Sequence, residues 1–275
     1  MNDLSQTHSP HKLQPHANAS ASARGSRACA SLELRQYTLQ AGQRDVLIAL
    51  FEREFIEPQE ALGILVPGLF RDLDVPDRFV WLRGFGDIAT RHVALGDFYS
   101  GPVWQTHRMA ANATMIDSDN VLWLKPTWPG AALQSPLTAR APVGATQVPR
   151  GCVCACVFQR PTVSGAALDL LDLNAFLKAG SDSAPQLLGC YESETSANKF
   201  PRLPVREGES VIVLLLLFAN VAKCDEFLAR ASWATPNQVP TTTRRDSNPL
   251  CAAPLQVLRL LPTPRSALHA GCGGI

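Results

Sequence analysis

The sequence predicts an α+β chain of two successive β-α-β-β-α-β units, and three observations carry that expectation. Leu32 to Leu39 alternates apolar and polar residues with the period of a half-buried strand. From Arg44 the apolar positions Val46, Leu47, Leu50, Phe51 and Phe55 instead recur at three and four residues, the spacing of one helix face. The interval from Pro126 to Arg150 holds five prolines and no acid, and a weaker copy of the same element order follows it.

Each element of the first unit has a local cause. Ala41-Gly42 breaks the first strand, and Pro58 bends or ends the first helix because proline lacks the N–H that continues the ladder. A second strand is expected at Ile64 to Arg71 and a third at Phe79 to Phe85, joined as a hairpin by the turn residues Asp74-Val75-Pro76-Asp77. Gly86-Asp87 opens a helical stretch that Gly101-Pro102 divides into Ile88 to Tyr99 and Val103 to Ala113. Val121 to Lys125 closes the unit. The order is that of the ferredoxin-like split unit, four antiparallel strands with both helices on one face.

The second unit is read from strands at Cys152 to Gln159, Leu187 to Ser193, Val211 to Phe218 and Leu255 to Leu261, with helices at Gly165 to Ala179 and Val221 to Ala231. Ser164 suits the N-cap and Gly180 the C′ position of the first of these helices. The chain therefore divides into an N-terminal extension (1–31), a first unit (32–126), a Pro-rich linker (127–150), a second unit (151–262) and a flexible C-terminal tail (263–275). Each unit leaves one sheet face needing cover. The two faces covering each other would close one barrel, and homodimerisation would do the same.

Composition narrows the function classes. A formal net charge of +1 over 275 residues, without a basic stripe, argues against nucleic-acid binding. The longest apolar run, Val211 to Ala219, falls well short of the roughly 20 residues a membrane span needs. Eight cysteines without an apolar leader read as reduced thiols, so a cytoplasmic location is expected. Residues 4–32 hold no acid and share their composition with mitochondrial transit peptides, which makes a mitochondrial location the alternative; Pro10 and Pro15 interrupt any amphipathic stripe there. His8, His11 and His16 lie in that extension as incidental composition. No metal and no cofactor is expected.

Several runs together are specific enough to name a family. Leu32-Glu33-Leu34-Arg35-Gln36-Tyr37, Phe55-Ile56-Glu57-Pro58-Gln59-Glu60, Arg78-Phe79-Val80-Trp81-Leu82-Arg83-Gly84-Phe85, and Phe98-Tyr99 through Gly101-Pro102-Val103-Trp104 to His107-Arg108 resemble the NIPSNAP family. Asp117-Ser118-Asp119-Asn120-Val121 matches too, and Asn198 to Glu209 is similar to a segment of its bacterial two-repeat members. The resemblance covers most of residues 32–265. It implies two ferredoxin-like units in a dimeric α/β-barrel arrangement and a family of poorly defined activity. Related barrels include cofactor-independent monooxygenases, haem-degrading enzymes and plain binding proteins, so fold leaves function open. The almost wholly aliphatic strand Val211 to Phe218 departs from the bacterial pattern.

Alternation sorts the sheet faces. Leu32, Leu34, Val80, Leu82 and Gly84 are assigned to the helix side. Glu33, Arg35, Tyr37, Phe79, Trp81, Arg83 and Phe85, joined by Trp123 and Lys125, are assigned to a barrel lumen. Such a lumen, aromatic with cations among the rings, suits a small hydrophobic or aromatic anion. The competing reading pairs Arg35 and Arg83 with Glu33 and with acids of the other unit, so that they hold the interface together. Trp104, His107, Arg108 and Ala111 share one helix face, where His107 is a candidate general base and Arg108 a candidate anion partner. The candidate ligand-binding set is thus Arg35, Tyr37, Trp81, Arg83, Trp104, His107 and Arg108. An oxygenase alternative uses Trp81, His107 and Asn112, and a third reading is an adaptor with a filled barrel. Asp117 and Asp119 suit turn bonding to their own backbone. Cys152, Cys154 and Cys156 share a strand face with sulfurs expected nearly 7 Å apart, and read as small buried hydrophobes. Arg202 and Arg206 lie near two prolines in a stiff loop from Asn198 to Glu209, for which an anion site and a merely solvated loop are the two readings, the solvated loop being preferred.

Overall fold

The computed structural model describes residues 27–135, 140–160, 170–178, 184–231, 250 and 252–271. The chain enters through β1 (Arg27–Ala28) and builds β2 (Ser31–Leu39), α1 (Arg44–Glu54), α2 (Ile56–Ala61), β3 (Leu65–Asp72), β4 (Arg78–Phe85), α3 (Ile88–Ser100), α4 (Pro102–Ala113) and β5 (Met115–Pro126). After β6 (Gln134–Ser135) come β7 (Cys152–Gln159), α5 (Leu170–Lys178), β8 (Gln186–Ser193), β9 (Val211–Phe218), α6 (Val221–Arg230) and β10 (Gln256–Pro262). Eight strands form one closed barrel in the order β10-β3-β4-β2-β5-β8-β9-β7, with β7 pairing back onto β10. Within each half the order is second, third, first, fourth, all antiparallel, which is the ferredoxin-like arrangement. The fourth strand of each half joins the second strand of the other, at Leu124↔Ser193 and at Leu260↔Asp72. Closure therefore takes place within one chain, and no second copy is needed to remove the sheet edges.

Local chemistry sets most boundaries. The Asp87 side chain accepts from Ala89 N–H and starts α3, and Asn220 does the same through Lys223 N–H for α6. Pro102 opens α4, where its missing N–H has no acceptor to lose. The first helix breaks at Phe55, three residues before Pro58, which sits in the first turn of α2 and is tolerated there for the same reason. Strand β5 begins at Met115, six residues earlier than the alternation indicated, because this polar stretch still pairs with the end of β2 through two register shifts. Asp117 accepts from Asp119 N–H at 2.8 Å, a turn-like bond within that strand. The helix caps expected at Ser164 and Gly180 lie outside the described residues.

The sheet faces are the reverse of the expectation. Leu32, Leu34, Val80, Leu82, Leu122 and Leu124 join Val153, Ala155, Val157, Val213, Leu215, Leu258 and Leu260 in one buried cluster drawn from both halves. Only the lumen brings those strands together, so the lumen is packed with aliphatic side chains. Gln36 and Gln256 exchange amide hydrogen bonds at 2.9 Å between β2 and β10 at one end. Alternation reports two faces but carries no label for inside and outside, and the charged, aromatic set was the tempting lining. It is this set, including Tyr37, Phe79, Trp81 and Phe85, that faces the helices with Phe51, Phe55, Leu95 and Phe98. In the second half Cys152, Cys154, Cys156, Leu214, Leu216, Phe176 and Phe227 occupy the equivalent layer.

Two connecting segments also differ from the reading. Within the Pro-rich stretch, Ala131, Ala132 and Leu133 are buried, and Cys29 N–H donates to the Leu133 carbonyl beside the β1–β6 pair. Past β10, residues 263–271 pack rather than trail as a flexible tail. Thr263, Arg265, Ser266, Ala267 and Leu268 are buried, and Arg265 is anchored by the Glu52 carbonyl and by Glu57. Gly151, with φ at +118°, lets this segment approach, since a Cβ there would stand 2.9 Å from Ala270 N.

Candidate functional site

Glu33 organises the space between the first sheet and its helices. Its Oε2 accepts from Arg35 Nη1 at 2.6 Å and from Arg83 Nε and Nη2 at 2.9 and 2.6 Å, while Oε1 accepts from Arg91 Nε at 2.7 Å. All four side chains are almost fully buried. Burial alone would push the Glu33 carboxyl up; the guanidiniums of Arg83, Arg35 and Arg91 more than reverse this and hold it far below the usual carboxylate range. Arg35 and Arg83 thus pair with Glu33, as the competing reading expects, and with no acid of the second unit among the described residues. Trp81 lies between their guanidiniums, with ring-centroid distances of 5.6 and 5.3 Å.

The cluster reaches outward through two phenols. Arg35 Nε donates to Tyr37 Oη at 3.0 Å, and Arg83 Nη1 donates to Tyr99 Oη at 3.2 Å. Each phenol oxygen is an acceptor in these bonds and keeps its own O–H to donate. Burial raises the Tyr37 hydroxyl above the ordinary tyrosine value despite Arg35 beside it, so it stays protonated at neutral pH.

Above the phenols lies a cleft of about 330 Å³. Tyr37, Tyr99, Trp104 and Met115 wall it, Gln105, Arg108 and Asn112 project from α4, and Phe200, Arg202 and Leu203 reach over from the segment between β8 and β9. Tyr99 stacks on Phe200 with centroids 6.0 Å apart and meets Trp104 edge-on at 4.8 Å. An inner chamber of about 30 Å³ continues below, lined by Phe51, Phe55, Gln59, Trp81 and Phe98. Two of its buried polar atoms, Trp81 Nε1 and Gln59 Oε1, have no hydrogen-bond partner. The exposed Arg108 and Arg202 form no ion pair among the described residues.

Of the seven residues singled out from sequence, Tyr37, Trp104 and Arg108 meet in the cleft and Trp81 in the chamber beneath. Arg35 and Arg83 stand behind the phenols. His107 lines neither space; its Nε2 lies 3.5 Å from Glu54 Oε2. The oxygenase trio is therefore not assembled, with Trp81 below, Asn112 above and His107 turned to α1. Tyr99 and Phe200 were missed as site residues, and Arg202, whose loop was read as solvated in preference to an anion site, lines the cleft. Tyr99 and Phe200 lie inside the quoted family runs, and Arg202 inside the loop read as solvated; only tertiary packing brings that loop over α4. Arg206, its companion there, is spent on Glu209. In the second half, Cys154 and Cys156 Sγ lie 3.6 Å apart, closer than strand spacing implied because their side chains lean together. Lys125 sits near the sheet junction, 3.6 Å from Glu192.

No sequence-family model and no curated protein matches this chain. Solved structures do. An uncharacterized NIPSNAP domain protein from Burkholderia xenovorans aligns at 16% identity over 35% of this chain and 93% of its own, with a TM-score of 0.32. A NIPSNAP family protein of unknown function from Agrobacterium tumefaciens aligns at 21% identity over 35% of this chain and 86% of its own, with a TM-score of 0.33. A provisionally assigned monooxygenase from Fusobacterium nucleatum aligns at 9% identity over 90% of this chain and 97% of its own, with a TM-score of 0.50. The chain thus has the two-unit ferredoxin-like barrel fold of that last structure, and NIPSNAP proteins stand among its structural neighbours.

Proposed function

We propose that this protein, a NIPSNAP-type two-unit barrel, binds a small hydrophobic or aromatic anion in the cleft between the first sheet and α4. The observation that supports this most is the pairing of aromatic walls, Tyr99, Trp104 and Phe200, with two guanidiniums, Arg108 and Arg202, that form no ion pair among the described residues. Rings supply apolar area, and an arginine takes a carboxylate through two parallel hydrogen bonds. The Tyr37 and Tyr99 hydroxyls offer donors at the floor for a carbonyl or hydroxyl on the ligand body. The aliphatic lumen has no comparable lining.

Binding is preferred over oxygenase chemistry because His107, the base named for it, is turned toward Glu54. The test is tryptophan fluorescence titrated with aromatic and long-chain acids beside the corresponding primary alcohols. Saturable change with the acids and a much weaker response to the alcohols is expected. Equal responses to both series would remove the anion from the reading.

A further inference from the structure

Three guanidiniums surround Glu33, and it is the one carboxylate hydrogen-bonded to them among the described residues. The cluster carries a surplus of positive charge in a space from which water is excluded, where an uncompensated charge is costly. Arg91 is the member facing away from the cleft. Its Nη1 donates to Asn198 Oδ1 at 2.9 Å, its Cζ lies 4.6 Å from the Trp123 ring centroid, and its buried Nη2 has no hydrogen-bond partner. The residue is 2% exposed. Burial lowers its pKa despite Glu33, the mark of a cation short of counter-charge.

Arg91 lines a hollow of about 180 Å³ that shares no residue with the ligand cleft. Ile88 and Ala89, the first residues of the 13-residue helix α3, form one side, so the positive end of the helix dipole points here. Ser196, Ala197 and Lys199 form the other side, with His92 and Trp123 completing it. Lys199 is exposed and makes no ion pair among the described residues. The only acid at this helix start, Asp87, has its side chain committed to Ala89 N–H.

We infer that this hollow is a second, separate anion site that takes a small oxyanion, phosphate or sulfate, either free or as the head of a monoester. Buried Arg91 supplies the unpaired donor, Lys199 the mobile cation at the mouth, and the start of α3 a favourable dipole. A phosphate-sized group fits within the hollow.

The experiment is isothermal titration calorimetry of the full chain with inorganic phosphate, sulfate and phenyl phosphate, at ionic strength held constant with chloride. Saturable, one-to-one binding of inorganic phosphate is expected. Lys199→Glu should abolish it, Lys199→Ala should weaken it by about tenfold, and Arg108→Ala should leave it unchanged. Should Arg91→Gln fail to fold, the Lys199 variants decide the matter, since that side chain is exposed. Binding of phenyl phosphate but not inorganic phosphate, lost in Lys199→Glu and kept in Arg108→Ala, assigns the site to a monoester head; phenyl phosphate binding lost in Arg108→Ala belongs to the cleft and overturns the inference. Absence of saturable binding by all three anions, or binding unchanged in Lys199→Glu, overturns the inference. Loss of phosphate binding in Arg108→Ala would likewise overturn it, by placing the anion in the cleft.

Discussion

Glu33 and Arg83 face each other across β2 and β4, and the Glu33 Oε2 atom accepts from both Nε and Nη2 of that arginine. This pair fixes the guanidinium whose remaining nitrogen supports Tyr99, so a backbone register reaches the cleft wall through three hydrogen bonds.

Replacing Glu33 by Gln should therefore be severe. It leaves three buried guanidiniums without their carboxylate, and removing one partner of a buried charge pair costs about 3–5 kcal/mol. Urea denaturation should show that loss. A change below about 1 kcal/mol would mean the arginines find other acceptors.

The same carboxylate sets a pH dependence. Its pKa is depressed in the folded chain, so its stabilisation is present above the unfolded value of about 4.3 and is lost as pH falls below it. Urea midpoints should fall between about pH 5 and pH 3 in the wild type and fall less in Glu33→Gln. Parallel pH profiles in the two proteins would contradict this assignment.

The lumen makes a separate prediction. Leu82 is 1% exposed within the aliphatic cluster shared by both halves, and Leu82→Ala should cost about 2–5 kcal/mol through lost burial and a residual cavity. His107→Ala, by contrast, removes a half-exposed contact to Glu54 and should cost at most about 1 kcal/mol with ligand affinity unchanged. Thermal melts and titrations of both variants check the contrast.

Buried thiols give a chemical check. Burial pushes Cys29 and Cys190 up to about 12, so neither ionises at neutral pH. In a Cys251→Ser/Cys272→Ser background the six remaining cysteines, all buried, should resist alkylation until denaturant is added. Rapid labelling of Cys152, Cys154, Cys156, Cys190 or Cys224 in the native protein would show that the helix layer over the second sheet opens readily.

Much of the architecture was legible because alternation, helical spacing and turn chemistry agree locally. Cys152 to Gln159 and Val211 to Phe218 carry their strand boundaries in composition alone. What alternation lacks is a sign. Glu33, Arg35 and Arg83 on one strand face look equally suited to a polar lumen or to a charge cluster under helices. The decision comes from the second half, whose Val213, Leu215, Val153 and Val157 can only pack against the aliphatic set of the first. Tyr99 and Phe200 were beyond reach for another reason: they are separated by a hundred residues and meet only once the chain has closed on itself.

Trp104 forms one wall of the cleft and contacts Phe55, Phe98 and Tyr99. Trp104→Leu keeps much of that apolar volume while removing the ring, and should weaken binding of aromatic acids by roughly tenfold more than that of alkyl acids. Equal losses for both ligand series would show that the ring contributes only area.

The cleft assignment is tested most directly by calorimetric titration of wild type and an Arg108→Ala/Arg202→Ala double variant with one aromatic carboxylate and its neutral primary amide. Both arginines are exposed, so the double variant should melt with the wild type. The account predicts saturable binding of the acid to wild type, a dissociation constant at least about tenfold higher in the double variant, and little difference between the two proteins for the amide. Equal affinity of a folded double variant for the acid would contradict it.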